Sequence, residues 1–101
     1  KPLLRIDILD EIKKQVKVPL VLHGGSSNKD EEIAKAVEHG VNKINISSDI
    51  KDPFYRKCRE MLKDDGIREP NQIYPPCIEV MKEAAIRKIR LFQAAGRASL
   101  Y

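Results

Sequence analysis

Two short apolar runs constrain this chain more than any other feature: Val18-Pro19-Leu20-Val21-Leu22-His23 and Val41-Asn42-Lys43-Ile44-Asn45-Ile46. The first is nearly continuous and stops at Gly24-Gly25. Its length, its valine and leucine content and the glycine stop predict a strand buried on both faces, which is how parallel strands read. Pro19 is tolerated near a strand start. Between the runs, Asn28-x-x-Glu31 has the form of a capping box, Ile33, Ala36 and Val37 make an apolar face, and Gly40 supplies a stop. Strand, helix and strand joined by short loops mean a parallel pair with the helix packed outside.

The flanking segments read as helices. Ile8, Leu9, Ile12 and Val16 recur at helical spacing after Asp7, a candidate N-cap. A further helix is predicted from about Pro53 to Lys63, with Phe54, Cys58, Met61 and Leu62 on one side. Asp64-Asp65-Gly66 breaks the pattern, and the stretch to Pro75-Pro76 reads as loop. The last helix is predicted to start near Pro76, to turn Ile78, Met81, Ala85, Ile89 and Phe92 inward, and to be capped by Gly96.

The order is therefore α-β-α-β-α-α, and it does not close. Two parallel strands buried on both faces need neighbours at either edge, and 101 residues offer none. The expected fold class is α/β: the last two βα units of a larger parallel sheet or barrel, followed by a C-terminal helix. The absence of an initiator methionine agrees with an upstream portion.

Composition narrows the class of function. No apolar run reaches the roughly 18 residues that span a membrane, and the opening Lys1-Pro2-Leu3-Leu4-Arg5-Ile6-Asp7 lacks a signal-peptide pattern. A cytoplasmic location is expected. The net charge is +4, but aromatic residues are only 5% of the chain and no basic run is interleaved with them, so no nucleic-acid partner is expected. Cys58 and Cys77 form no CxxC pair, and Cys58 reads as a small core residue.

The chemistry concentrates at two strand ends. His23 closes the first run at the carboxyl end of a parallel strand, where α/β enzymes place their sites. Gly24, Gly25 and Ser26 follow, a turn whose exposed amides can form an anion-binding concavity. Asn45 shares the strand face of Lys43, and Ser47 and Ser48 stand where the second strand hands over to a helix, offering hydroxyls and N-terminal amides to an anion. Read from the residues alone, a lone histidine at a strand end such as His23 is more often a structural or polar rim residue than a metal ligand.

Leu22-His23-Gly24-Gly25-Ser26 followed by Lys43-Ile44-Asn45-Ile46-Ser47-Ser48-Asp49 closely resembles the motif pair that closes the barrel of class II aldolases. The tails Ile89-Arg90-Leu91-Phe92 and Ala95-Gly96-Arg97-Ala98 resemble the end of that family's shorter-chain branch. The resemblance covers nearly all of this chain but only about the last third of a family member. It implies the C-terminal βα units of a (β/α)8 (TIM) barrel followed by a C-terminal helix, with residues 1–101 the C-terminal part of a single barrel domain. It implies zinc-dependent aldol cleavage of a ketose phosphate, giving dihydroxyacetone phosphate and an aldehyde. It implies that His23 is one of three histidine ligands to a catalytic Zn2+. It assigns the substrate's phosphate site to Gly24, Gly25, Ser26, Asn45, Ile46, Ser47 and Ser48, with Ile46 acting through its backbone. Backbone around Ser26 is a candidate ligand for a monovalent cation. The remaining ligands and the aspartate acid/base lie upstream in the family, so no catalytic acid/base is expected in this segment, and His39, at a helix end, does not replace them.

The sequence departs from the pattern at Ser27, where a glycine is usual, and at Ser48, where threonine is more frequent. A hydroxyl survives at Ser48, so the departures bear on which sugar phosphate is taken. The implied partners are a small sugar phosphate, the rest of the barrel and a further copy in a homo-oligomer. Two other readings stay open: a metal-free phosphate-binding barrel isomerase or lyase with His23 as acid/base, and a basic α/β binding module without catalysis.

Overall fold

The computed structural model describes residues 3–101. Its elements are α1 (Ile6–Gln15), β1 (Leu20–Leu22), α2 (Asp30–Glu38), β2 (Val41–Ile44), α3 (Ser48–Met61) and α4 (Pro70–Leu91), with short 3-10 turns at Gly25–Ser27 and Ala98–Leu100. Among the described residues no helix is long and apolar enough to cross a membrane. The chain divides into two compact units, one running to Ile46 and including Ile89–Tyr101, the other Ser47–Lys88.

The first unit holds the predicted βαβ crossover. β1 and β2 pair in parallel, Leu20 with Val41, Val21 with Lys43 and Leu22 with Ile44. The register shift leaves Asn42 as an extra residue, and its side-chain oxygen accepts the Leu20 amide at 3.0 Å. Past the strand ends, the Asn45 amide donates to Leu22 at 2.9 Å and the Gly25 amide to Asn45 at 3.0 Å. α2 buries Ile33 and Ala36. The cap expected at Asn28 and Glu31 falls one residue later: Glu32 accepts the Lys29 amide at 3.4 Å and the Leu4 amide at 2.8 Å. Glu32 thereby ties the start of α2 to the segment before α1, and these amides hold its carboxyl below the ordinary carboxylate range. Gly40, at φ +108°, ends the helix as expected.

Three expectations about this unit change. Asp7 does not cap α1; Arg5 is the N-cap residue, and its guanidinium takes both carboxylate oxygens of Asp7 at 2.7 and 3.0 Å. Burial of the strands on both faces is not met: Val21 stays 45% exposed, with α2 packed on β2 and α1 on α2. Between α1 and the strands lies an open apolar groove of about 220 Å³, lined by residues such as Leu9, Ile12, Leu22 and Val41. The cap expected from Gly96 is supplied by Gln93, at φ +58°, with the Ala94 amide reaching back to Ile89 at 2.9 Å.

In the second unit both helices begin earlier than their prolines suggested. α3 starts at Ser48, so Pro53 lies in its second turn and withholds a donor from the Asp49 carbonyl. α4 starts at Pro70, whose missing amide costs little in a first turn. Pro75 and Pro76 then withhold donors from the carbonyls of Asn71 and Gln72, both exposed residues that water can serve. The Phe54 and Tyr74 rings lie 6.4 Å apart and 21° from parallel. The inward face of α4 also differs: Cys77 and Lys88 are buried, while Ile78 and Ile89 are 57% and 45% exposed. Apolar periodicity alone could not find a face that includes a lysine.

Candidate functional site

β1 ends by delivering His23, exposed, to the carboxyl edge of the strand pair. Its Nδ1 lies 3.0 Å from the Asn45 side-chain nitrogen. Lys43 donates its ammonium to the Asn45 side-chain oxygen. An ammonium can only donate, so the Asn45 oxygen faces Lys43 and its NH2 faces the imidazole. With that assignment Nδ1 accepts and the proton of a neutral ring sits on Nε2. A metal held by His23 would take the Nδ1 lone pair in place of Asn45, or Nε2 after the ring or the amide reorients. Lys43 is the residue that the motif reading passed over; its place on the same strand face as Asn45 was the available signal.

The two glycines serve different needs. Gly24 adopts φ +67° with open space where a side chain would project, so glycine is required by the backbone. Gly25 is buried, and a Cβ there would stand 2.7 Å from the Ile44 Cγ2 methyl. Glycine is required by the neighbours. The Gly25 amide is committed to the Asn45 carbonyl, so its contribution to the loop is anchorage and space, not a donor for an anion. Ser27 closes the turn by donating its hydroxyl to the Gly24 carbonyl at 3.0 Å. Ser26 is half-buried beside it, and the half-buried Ile46 side chain lies 3.5 Å from where a Gly25 Cβ would stand.

Ser47 and Ser48 belong to the second unit and are both exposed. Ser47 is the N-cap residue of α3, and its carbonyl accepts the Ile50 and Lys51 amides at 3.0 and 3.1 Å. Ser48 opens the helix proper, where amide N–H groups precede any intrahelical acceptor. So His23, Gly24, Gly25, Ser26, Asn45 and Ile46 come together in one unit, and Ser47 and Ser48 start the first helix of the other.

As a metal centre the chain supplies one imidazole. Among the described residues no group of three or more His, Cys, Asp or Glu side chains is placed to hold an ion. His39 is engaged elsewhere, its Nδ1 2.7 Å from an Asp10 carboxylate oxygen. A catalytic zinc usually takes three protein ligands, so His23 fits one corner of such a site.

Residues 1–97 match the family model described as fructose-bisphosphate aldolase class-II. The chain belongs to that family. It is 33% identical over 100 residues to a fructose-bisphosphate aldolase of Geobacillus stearothermophilus, covering 98% of this chain and 35% of that protein. It is 33% identical over 99 residues to a 6-phospho-5-dehydro-2-deoxy-D-gluconate aldolase of Bacillus licheniformis, covering 97% of this chain and 34% of the other. Among solved structures, the YdjI aldolase from Escherichia coli K12 superimposes with a TM-score of 0.86 at 30% identity, over 96% of this chain and 36% of that one. The α/β units described above are thus those of the class II aldolase barrel. The chain spans about a third of the length of the curated relatives it matches.

Proposed function

We propose that this chain is the C-terminal part of a class II aldolase barrel, and that the complete protein cleaves a ketose phosphate reversibly into dihydroxyacetone phosphate and an aldehyde. The observation that carries this reading is the family match over residues 1–97 together with the contact between His23 and Asn45 at 3.0 Å. The barrel's other strands cover the open groove and the strand edges, and supply the other two zinc ligands and the acid/base. The bond broken joins the carbon next to the ketone to the hydroxyl-bearing carbon beyond it. The hydroxyl gives its proton to the base and becomes the aldehyde, the bonding pair stays on the carbon next to the ketone, and that carbon is then protonated to give dihydroxyacetone phosphate. Zinc, when bound, supplies Lewis-acid polarisation of the substrate's carbonyl.

This chain's own residues bind and orient. His23 would hold one position of the metal. Asn45, kept in place by Lys43, would direct its amide toward the three-carbon unit. Gly24 and Ser26 present the loop backbone to the phosphate, and Gly25 keeps that loop close to the strand by having no side chain. The Ile46 backbone and the Ser47 and Ser48 groups at the start of α3 take further phosphate oxygens. The relatives' names differ in the sugar acid or ketose acted on, so the aldehyde half of the substrate is left to residues outside this segment. A cytoplasmic, homo-oligomeric enzyme is the expected setting.

The test is made on the complete protein. His23→Ala is expected to lower zinc content, measured by atomic emission on the purified protein, and to abolish cleavage. Wild-type zinc stoichiometry with retained cleavage in that variant overturns the assignment.

A further inference from the structure

The mechanism above leaves out the most deeply placed charge in the second unit. Lys88 on α4 is 4% exposed, the buried charged residue among those described. Its ammonium lies 3.0 Å from Oδ2 of Asp49, whose side chain is 22% exposed. Asp49 sits in the first turn of α3, immediately after Ser48. Burying such a pair is a poor way to gain stability, because desolvating both ions offsets their attraction and an apolar pair would do as well. A reason other than stability is called for.

The position of Asp49 supplies one. A helix N-terminus favours anions through its amides and dipole, and the first-turn carboxylate is an anion already there. Left unbalanced, it would compete for the same amides and repel a phosphate dianion arriving at Ser47 and Ser48. We propose that Lys88 is a positioning residue for the substrate's phosphate: it draws the Asp49 carboxylate to the α4 side of the turn and cancels its charge, leaving the start of α3 receptive to a phosphate. The inference rests on the reading that Ser47 and Ser48 take that phosphate.

The test uses the complete enzyme with a phosphorylated ketose, its unphosphorylated counterpart, and inorganic phosphate as a competitive inhibitor. If the wild-type enzyme cleaves both ketoses with equal KM, the phosphate reading itself fails, whatever Lys88 does. Given that selectivity, Lys88→Met is expected to raise KM for the phosphorylated ketose and Ki for inorganic phosphate by about tenfold, the size expected of one like charge a few ångströms from the anion in a partly solvated site. Expected too are a kcat kept within about threefold and an unchanged KM for the unphosphorylated ketose. Adding Asp49→Asn to Lys88→Met should bring both constants back toward wild type. Lys88→Gln, which keeps a donor but no charge, is the second variant if Lys88→Met does not fold, and the same direction is expected of it. Equal losses on both ketoses, or a double variant no better than the single one, would overturn the proposal.

Discussion

Replacing Gly25 by alanine pits two opposed effects against each other, and the geometry decides between them. Gly25 does not adopt a left-handed backbone, so alanine fits its dihedrals and should stabilise by about 0.4–1 kcal/mol through the unfolded chain. Against this, the new Cβ would stand 2.7 Å from the Ile44 Cγ2 methyl, 3.4 Å from the Asn45 carbonyl oxygen and 3.5 Å from the Ile46 Cγ2 methyl. Carbon atoms rest at about 3.5–4.0 Å, so the Ile44 methyl must give way by roughly an ångström. That methyl is on a β-branched strand residue, with little freedom to turn aside. Overpacking of this kind costs about 1–3 kcal/mol, so the clash wins and a net loss of about 1–2 kcal/mol is expected. Denaturant unfolding of the complete protein reads it. The decisive comparison is a double-mutant cycle with Ile44→Ala, which removes the obstructing methyl. The two changes should be less harmful together than their sum by about 1 kcal/mol. Additivity within about 0.5 kcal/mol would refute the steric account. Gly24→Ala, where the space is open but φ is +67°, should cost about 1–2 kcal/mol with no rescue from Ile44→Ala.

Three further outcomes are expected. Burial, with the neighbouring Cys58 thiol hydrogen-bonded to it, pushes the Cys77 thiol above its ordinary range, so iodoacetamide at mildly alkaline pH should label Cys58 and spare Cys77 in the folded protein; equal labelling by mass spectrometry contradicts this. The Glu32 carboxyl is held low by the Leu4 and Lys29 amides, so its stabilisation is present above the ordinary carboxylate range and lost as pH falls through its lowered value; Glu32→Gln should flatten the acid limb of the stability curve, and an unchanged limb would refute it. Expressed alone, residues 1–101 should aggregate or unfold without cooperativity, because Ile33, Ala36 and Cys77 are the buried apolar residues among those described and the two-stranded sheet has open edges; a soluble monomer with a cooperative transition counts against it.

The parts of the fold that could be read from sequence are those in which one local rule acts unopposed. The two strands, the helix between them and the Gly40 stop follow from apolar runs and a positive φ, and the resemblance at His23 to Ser26 and at Asn45 to Ser48 led to the right family. The prolines point to the wrong helix starts, because Pro53, Pro75 and Pro76 sit in second turns and withhold a donor there without ending the helix. The inward face of α4 is not legible in the sequence, because buried Lys88 pairs with Asp49, a partner 39 residues away that no periodicity can announce. The commitment of the Gly25 amide to Asn45 was equally out of reach, since it depends on how two loops meet after the strands have paired.

Asn42 has a consequence out of proportion to its own chemistry. Side chains alternate along a strand, so whether two residues on neighbouring strands share a face is a matter of odd and even counts. Counted without interruption from the Leu20–Val41 pair, His23 would fall beside Ile44, and Asn45 would point to the opposite face. Passing over Asn42 changes the parity: Val21 meets Lys43, Leu22 meets Ile44, and His23 comes alongside Asn45. The bulge is stitched at its base by the Asn42 carboxamide, which receives the Leu20 amide in place of a ladder carbonyl. Deleting Asn42 would remove no group from the site, yet it would put the imidazole and the carboxamide on opposite sides of the sheet.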